Sequence, residues 1–154
     1  MVVGLLVWTA AAHAGELAIG NAQVLSGQTV TVPVTYTAGK AGKKVAAAVA
    51  TDIRFNSKVF SNPRCEDGSA LGSGAAAAKT VKCAEPQPGL LRVAVFGLNV
   101  APVPEGEVAR VTFDVAADAR PGRYRLRQKP TAADASGNDF RLVQRHGAVR
   151  VAKP

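Results

Sequence analysis

Thr29-Val30-Thr31-Val32-Pro33-Val34-Thr35-Tyr36 is the stretch that decides the fold. Val30, Val32, Val34 and Tyr36 fall on one side of an extended backbone and the threonines on the other, which is the two-residue period of a half-buried strand. Val and Thr branch at Cβ and suit a pleated surface better than a helix. Pro33 has no N–H to give to a neighbour, so this strand is expected at a sheet edge or with a bulge.

The same pattern recurs outward along the chain, each time bounded by turn residues. Over 45–55 the alternation puts Val45, Ala47, Val49, Thr51, Ile53 and Phe55 inward, with Ala46, Ala48, Ala50, Asp52 and Arg54 outward. Leu90 to Phe96 is apolar on both sides except at Arg92, as in a strand covered on both faces or lying under a loop. Ala109, Val111, Phe113 and Val115 form another inward row, and Gly147 to Val151 reads as a short closing strand. Several short strands with no sustained helical period make an all-β sandwich, and 154 residues suit one domain. Residues 61–88 are Gly/Ala-rich and read as an excursion, with one turn of helix possible in the alanine run 75–78.

The chain begins differently. Residues 1–14 carry no charged side chain and end in Ala12-His13-Ala14, an A-x-A site after a short apolar run. That reads as a secretory leader, although no Lys or Arg precedes the run and a buried strand is the other reading. A run of roughly a dozen residues is too short to cross a bilayer, which takes about 20. The expected organisation is a leader at 1–14 and one exported module at 15–154, extracellular or periplasmic, with no later transmembrane segment. Cys65 and Cys83, the two cysteines, either close the intervening loop as a disulfide or stand as two thiols; an oxidising compartment favours the bond.

A net charge of +8 favours acidic partners. Aromatic residues make up 5% of the chain and no binding motif accompanies the charge, so nucleic acid is not expected. The strongest charged feature is Arg123, Arg125, Arg127 and Lys129, which period two places on one side of one strand. This row can meet an acidic protein, a uronic-acid polysaccharide or lipid headgroups, or it is a solvated face whose charges block edge pairing.

Other chemistries find less support. Sugar stacking needs a strip of exposed rings. Trp8 lies in the leader, Tyr36, Phe55, Phe113 and Tyr124 are in inward phase, and Phe60, Phe96 and Phe140 are expected mainly to anchor core or loops. Asp134, Ser136, Asn138 and Asp139 offer oxygens to calcium but lack the distal Glu of an EF-hand, and a turn held by Asp explains them equally. His146 is the one histidine beyond the leader, and no Gly-x-Ser-x-Gly, phosphate loop or metal motif occurs. The chain is read as non-catalytic, with no cofactor and no metal.

The order of the segments carries a resemblance. Leu17-Ala18-Ile19-Gly20, Ser26 to Val34, Asp52 to Phe60, Gly106 to Val115 and Ala133 to Asp139 together resemble cohesin domains, the modules of cellulosome scaffolds that hold dockerin-bearing enzymes. The resemblance spans about Glu16 to Val151. It implies a nine-stranded jelly-roll sandwich, related in fold to cellulose-binding modules, with one sheet face as the dockerin platform. By that resemblance the platform is the face carrying Ala46, Ala48, Ala50 and Asp52. Phe55-Asn56-Ser57 stands where the family has Tyr-Asp-Pro, and Ala48 and Ala50 stand where dockerin binders present polar side chains. A protein partner of dockerin type is therefore expected to pack flat on this face, with a polysaccharide ligand as the alternative.

Overall fold

The computed structural model describes residues 14–39, 44–71 and 79–154. The expected leader, apart from Ala14, and the alanine run 75–78 lie outside the described residues. Two sheets face each other. The first has five strands in the order β11 (Val143–Arg145), β1 (Gly15–Ile19), β3 (Thr29–Ala38), β8 (Gly106–Val115) and β5 (Phe60–Asp67). The second has seven, in the order β2 (Ala22–Leu25), β12 (Gly147–Ala152), β9 (Gly122–Ala133), β4 (Ala48–Arg54), β7 (Leu90–Phe96) and β6 (Thr80–Gln87), with β10 (Asp139–Arg141) also paired to β9. The expected nine strands correspond to the nine that are five residues or longer; β2, β10 and β11 are short additions of three or four residues.

The deciding stretch is β3. Val30, Val32, Val34 and Tyr36 are all at most 4% exposed, while Thr31 turns outward and its hydroxyl shares a 2.8 Å hydrogen bond with that of Thr112. The strand is not at an edge, because β1 and β8 flank it on both sides. The other expectation for Pro33 holds: the ladder to β8 slips in register between Val34 and Thr35. On the opposite side Gly20 follows the end of β1 and gives its N–H to the Pro33 carbonyl at 2.8 Å. A Cβ at Gly20 would lie 2.6 Å from Pro33 Cγ, so this approach needs glycine.

Between the sheets lie the valines of β3, β7 and β8 and a chain of rings, Phe55 on Phe113 at 5.0 Å, Phe113 on Phe60 at 5.4 Å, and Tyr124 edge-on to Phe60 at 5.7 Å. Phe60 is therefore a core residue. Gln128, 2% exposed, joins the layers from β9: its amide nitrogen donates to the carbonyls of Leu17 (2.7 Å) and Arg145 (2.8 Å), and its oxygen accepts from the Thr51 hydroxyl at 2.9 Å.

The region 61–88 is more ordered than its composition implies. Most of it is β5, a single 3-10 turn (Ser69–Leu71) and β6, which leaves residues 72–78 as the part outside the described structure. Cys65 on β5 and Cys83 on β6 form a disulfide across 6.2 Å between Cα atoms, tying the edge of one sheet to the edge of the other.

Two orientation expectations are corrected. Ala46 is not outward: it is fully buried, Ala47 is nearly so, and Val45 is 52% exposed. The ladder to β7 begins at Val49, so the two-residue period does not govern the approach to β4, and the Val103 N–H closes over the Ala46 carbonyl at 2.8 Å. β7 is also not covered on both sides. Leu91, Val93 and Val95 point into the core, while Arg92 and Phe96 stand exposed on the other face.

Candidate functional site

The outer face of the seven-stranded sheet collects both features singled out in the sequence. Ala48, Ala50, Asp52 and Arg54 alternate with the core residues Val49, Thr51 and Ile53 along β4. Along β9, Arg123, Arg125, Arg127, Lys129 and Thr131 are exposed, and their neighbours Leu126, Gln128, Pro130 and Ala132 are buried. The strands are antiparallel neighbours in a register that places Ala133 opposite Ala48, Thr131 opposite Ala50, Lys129 opposite Asp52 and Arg127 opposite Arg54. The alanine row and the basic row are therefore halves of one surface. Ala46 does not belong to it.

One half is a floor of short side chains. Ala48, Ala50, Ala94 and Ala133, with Thr131 among them, line a shallow depression of about 330 Å³ whose border includes Phe96 and Asp139. Phe96 is 40% exposed, and beyond it the chain displays Leu98 and Val100, which are among the most exposed large apolar side chains described. Leu98 and Val100 were not identified from the sequence because the 97–104 segment follows no strand period. Lys79 anchors it: the buried ammonium donates to the carbonyls of Ala47 (2.7 Å) and Asn99 (3.1 Å), holding the segment beside the start of β4. Burial pushes the Lys79 pKa down from its ordinary value.

The other half is basic. Arg123 lies opposite Arg150 of β12, so cations face each other across two strand pairs, Arg123 with Arg150 and Arg127 with Arg54. Asp52 sits at the boundary between floor and belt. The Arg92 guanidinium grips its carboxylate with two bonds, Nε to Oδ1 at 2.9 Å and Nη2 to Oδ2 at 3.2 Å. That hydrogen bonding, ahead of the other nearby cations, holds the Asp52 pKa below the usual carboxylate value.

The remaining candidates have local partners. Asp134 Oδ1 accepts the backbone N–H groups of Ser136 and Asn138, both at 2.9 Å, as in an Asx turn, and these bonds keep its pKa low. Among the described residues no three His, Cys, Asp or Glu side chains gather as a metal would need. His146 Nδ1 accepts the Gln128 backbone N–H at 3.0 Å, which fixes the ring against β9. Phe140 is half-buried against the core, so Phe96 is the ring left open on the outer face among the described residues. Among the described residues, no helix is long and apolar enough to cross a membrane.

The family model described as cohesin domain matches residues 15–151. The sixth cohesin of scaffoldin B from Acetivibrio cellulolyticus, solved in complex with a Cel5 dockerin, is 16% identical with a TM-score of 0.73, covering 90% of this chain and 99% of its own. The cohesin of a type I cohesin–dockerin complex from Clostridium thermocellum is 18% identical with a TM-score of 0.71 and the same coverage. A non-cellulosomal cohesin from the archaeon Archaeoglobus fulgidus is 16% identical with a TM-score of 0.67, covering 90% of this chain and 91% of its own. No curated protein sequence matches.

Proposed function

The chain belongs to the cohesin domain family, and from that premise we propose that it is an exported, non-catalytic module that docks a dockerin-type protein on the outer face of its seven-stranded sheet. The observation that carries the proposal is the open floor of Ala48, Ala50, Ala94 and Ala133 at the middle of that sheet. Side chains this short leave the strand backbone close to the surface, so a partner can pack flat against it. Affinity then comes from close contact and from the rim at Phe96, Leu98 and Val100, because alanines supply few hydrogen bonds. β6, β7, β4, β9 and β12, at ~4.8 Å spacing and with β9 at ~3.3 Å per residue, outline a face about 24 Å wide and up to about 40 Å long, the order of the ~800 Å² each partner gives to a stable interface.

The carbohydrate alternative has, among the described residues, one open ring on this face, Phe96, where a sugar platform needs several coplanar ones. A link to polysaccharide breakdown rests on the family's cellulosome scaffolds alone, and the similar archaeal protein is a non-cellulosomal cohesin, so the proposal stops at protein docking. Export is supported by the Ala12-His13-Ala14 site directly before β1 and by the Cys65–Cys83 bond, which suits an oxidising compartment.

The test is binding of the protein to a panel of recombinant dockerins by surface plasmon resonance, repeated with Ala50→Trp, which fills the floor without touching the core. The expected result is a dockerin bound by the wild type and at least about tenfold more weakly by the variant, since a misfitted interface centre costs over ~1.4 kcal/mol. No dockerin bound, together with retention on insoluble polysaccharide, refutes the proposal.

A further inference from the structure

We propose that the partner presents an acidic polypeptide face, received by a belt of six cations, Arg54, Arg123, Arg125, Arg127, Lys129 and Arg150; this inference rests on the protein-docking reading. Two of the belt's cross-strand pairings work against the fold, whereas Lys129 lies opposite Asp52. Arg127 is paired directly across the ladder with Arg54, and Arg123 with Arg150, and like charges at directly opposed positions repel. Protection of a sheet edge does not account for them, because β9 is an interior strand between β4 and β12. None of the six forms an ion pair among the described residues, although Arg64, Arg92, Arg110 and Arg145 each do. Asp52, the carboxylate in their midst, is held by Arg92.

The belt is continuous with the alanine floor in one register, so an occupant seated on the floor extends over it. A flat apolar centre bordered by charge is the anatomy of a protein interface. Guanidinium groups in this density suit carboxylate side chains, each of which can be gripped by two parallel bonds. An acidic polysaccharide would meet the same charge but leave the floor and the apolar rim uncovered. Complementary charge acts mainly on the rate of encounter, so the belt steers the partner and the floor holds it.

The experiment uses the ¹⁵N-labelled protein titrated with poly-L-glutamate at low salt and at about 300 mM salt, where screening acts within roughly 6 Å. Amide shifts are expected on β4, β9 and β12, with binding about tenfold weaker at the higher salt and about tenfold weaker in Arg125→Ser/Arg127→Ser at low salt. Circular dichroism and the urea midpoint verify that the double variant is folded. Shifts equally strong on the five-stranded sheet, or unchanged affinity in the variant, overturn the proposal. Tighter binding of polygalacturonate than of poly-L-glutamate at equal charge also overturns it, and makes the occupant an acidic polysaccharide. A dockerin that associates equally fast with wild type and double variant at every salt concentration removes the belt while leaving the docking function. Poly-L-glutamate mapping to the belt when no dockerin binds removes the docking function and leaves the acidic-polypeptide site.

Discussion

At the scale of single residues, the side chain with most consequence for the fold is Gln128. Its position between basic residues in a strand marks it as inward, but a buried amide is tolerable because each of its polar atoms has a partner. Three of those bonds reach β1, β4 and the residue ending β11, so one side chain joins both layers. Gln128→Ala removes them and leaves the Thr51 hydroxyl and the Leu17 and Arg145 carbonyls to find other partners. The expected loss is about 2–4 kcal/mol, read as a lower urea midpoint with an unchanged slope. Ala46 shows the opposite case: its address in the sequence is outward, and the closing contact from Val103 puts it inside.

At the scale of elements, β9 carries the charged row and is also the strand most enclosed by neighbours, with β4 on one side and β12 and β10 on the other. Charge on an edge strand protects it from pairing with other chains, but charge on an interior strand meets more charge across the ladder. Replacing Arg127 with Ser relieves its opposition to Arg54 and is expected to raise the melting temperature by about 1–3 °C, measured by circular dichroism. A variant more stable yet weaker in binding an acidic polypeptide separates function from folding in this row. No change or a fall in melting temperature would mean that the aliphatic stems of the arginines pack more favourably than their charges repel.

At the scale of the whole molecule, the disulfide holds the sandwich together at an open side. β5 and β6 end their respective sheets, and Cys65–Cys83 bridges them across 18 positions of sequence. A loop of that size is worth about 3 kcal/mol by restriction of the unfolded chain. Reduction, or Cys65→Ser with Cys83→Ser, is expected to lower stability by about that amount in urea titration while leaving the floor on β4, β7 and β9 intact. Intact mass of the protein, with and without reduction and alkylation, reports the bond, and a mass beginning at Gly15 after expression of the full sequence is the outcome expected of the proposed export.

By itself the sequence determined the class of fold and its strands, because alternation in β3, β4 and β8 is a local property: each side chain's direction follows from the pleat and each burial from its apolarity. It also determined that cations line one side of β9, and the order of its segments carried the family. It did not determine which strands are neighbours, since residues near 50, 94 and 130 come together through pairings that no local period encodes. The tertiary structure alone decided that the alanines and the basic row share one face, that β9 is interior, and that Lys79 holds an apolar rim beside the floor. The reason is that a docking surface is a property of register between strands distant in the chain, and register is selected when both sheets close over a common core.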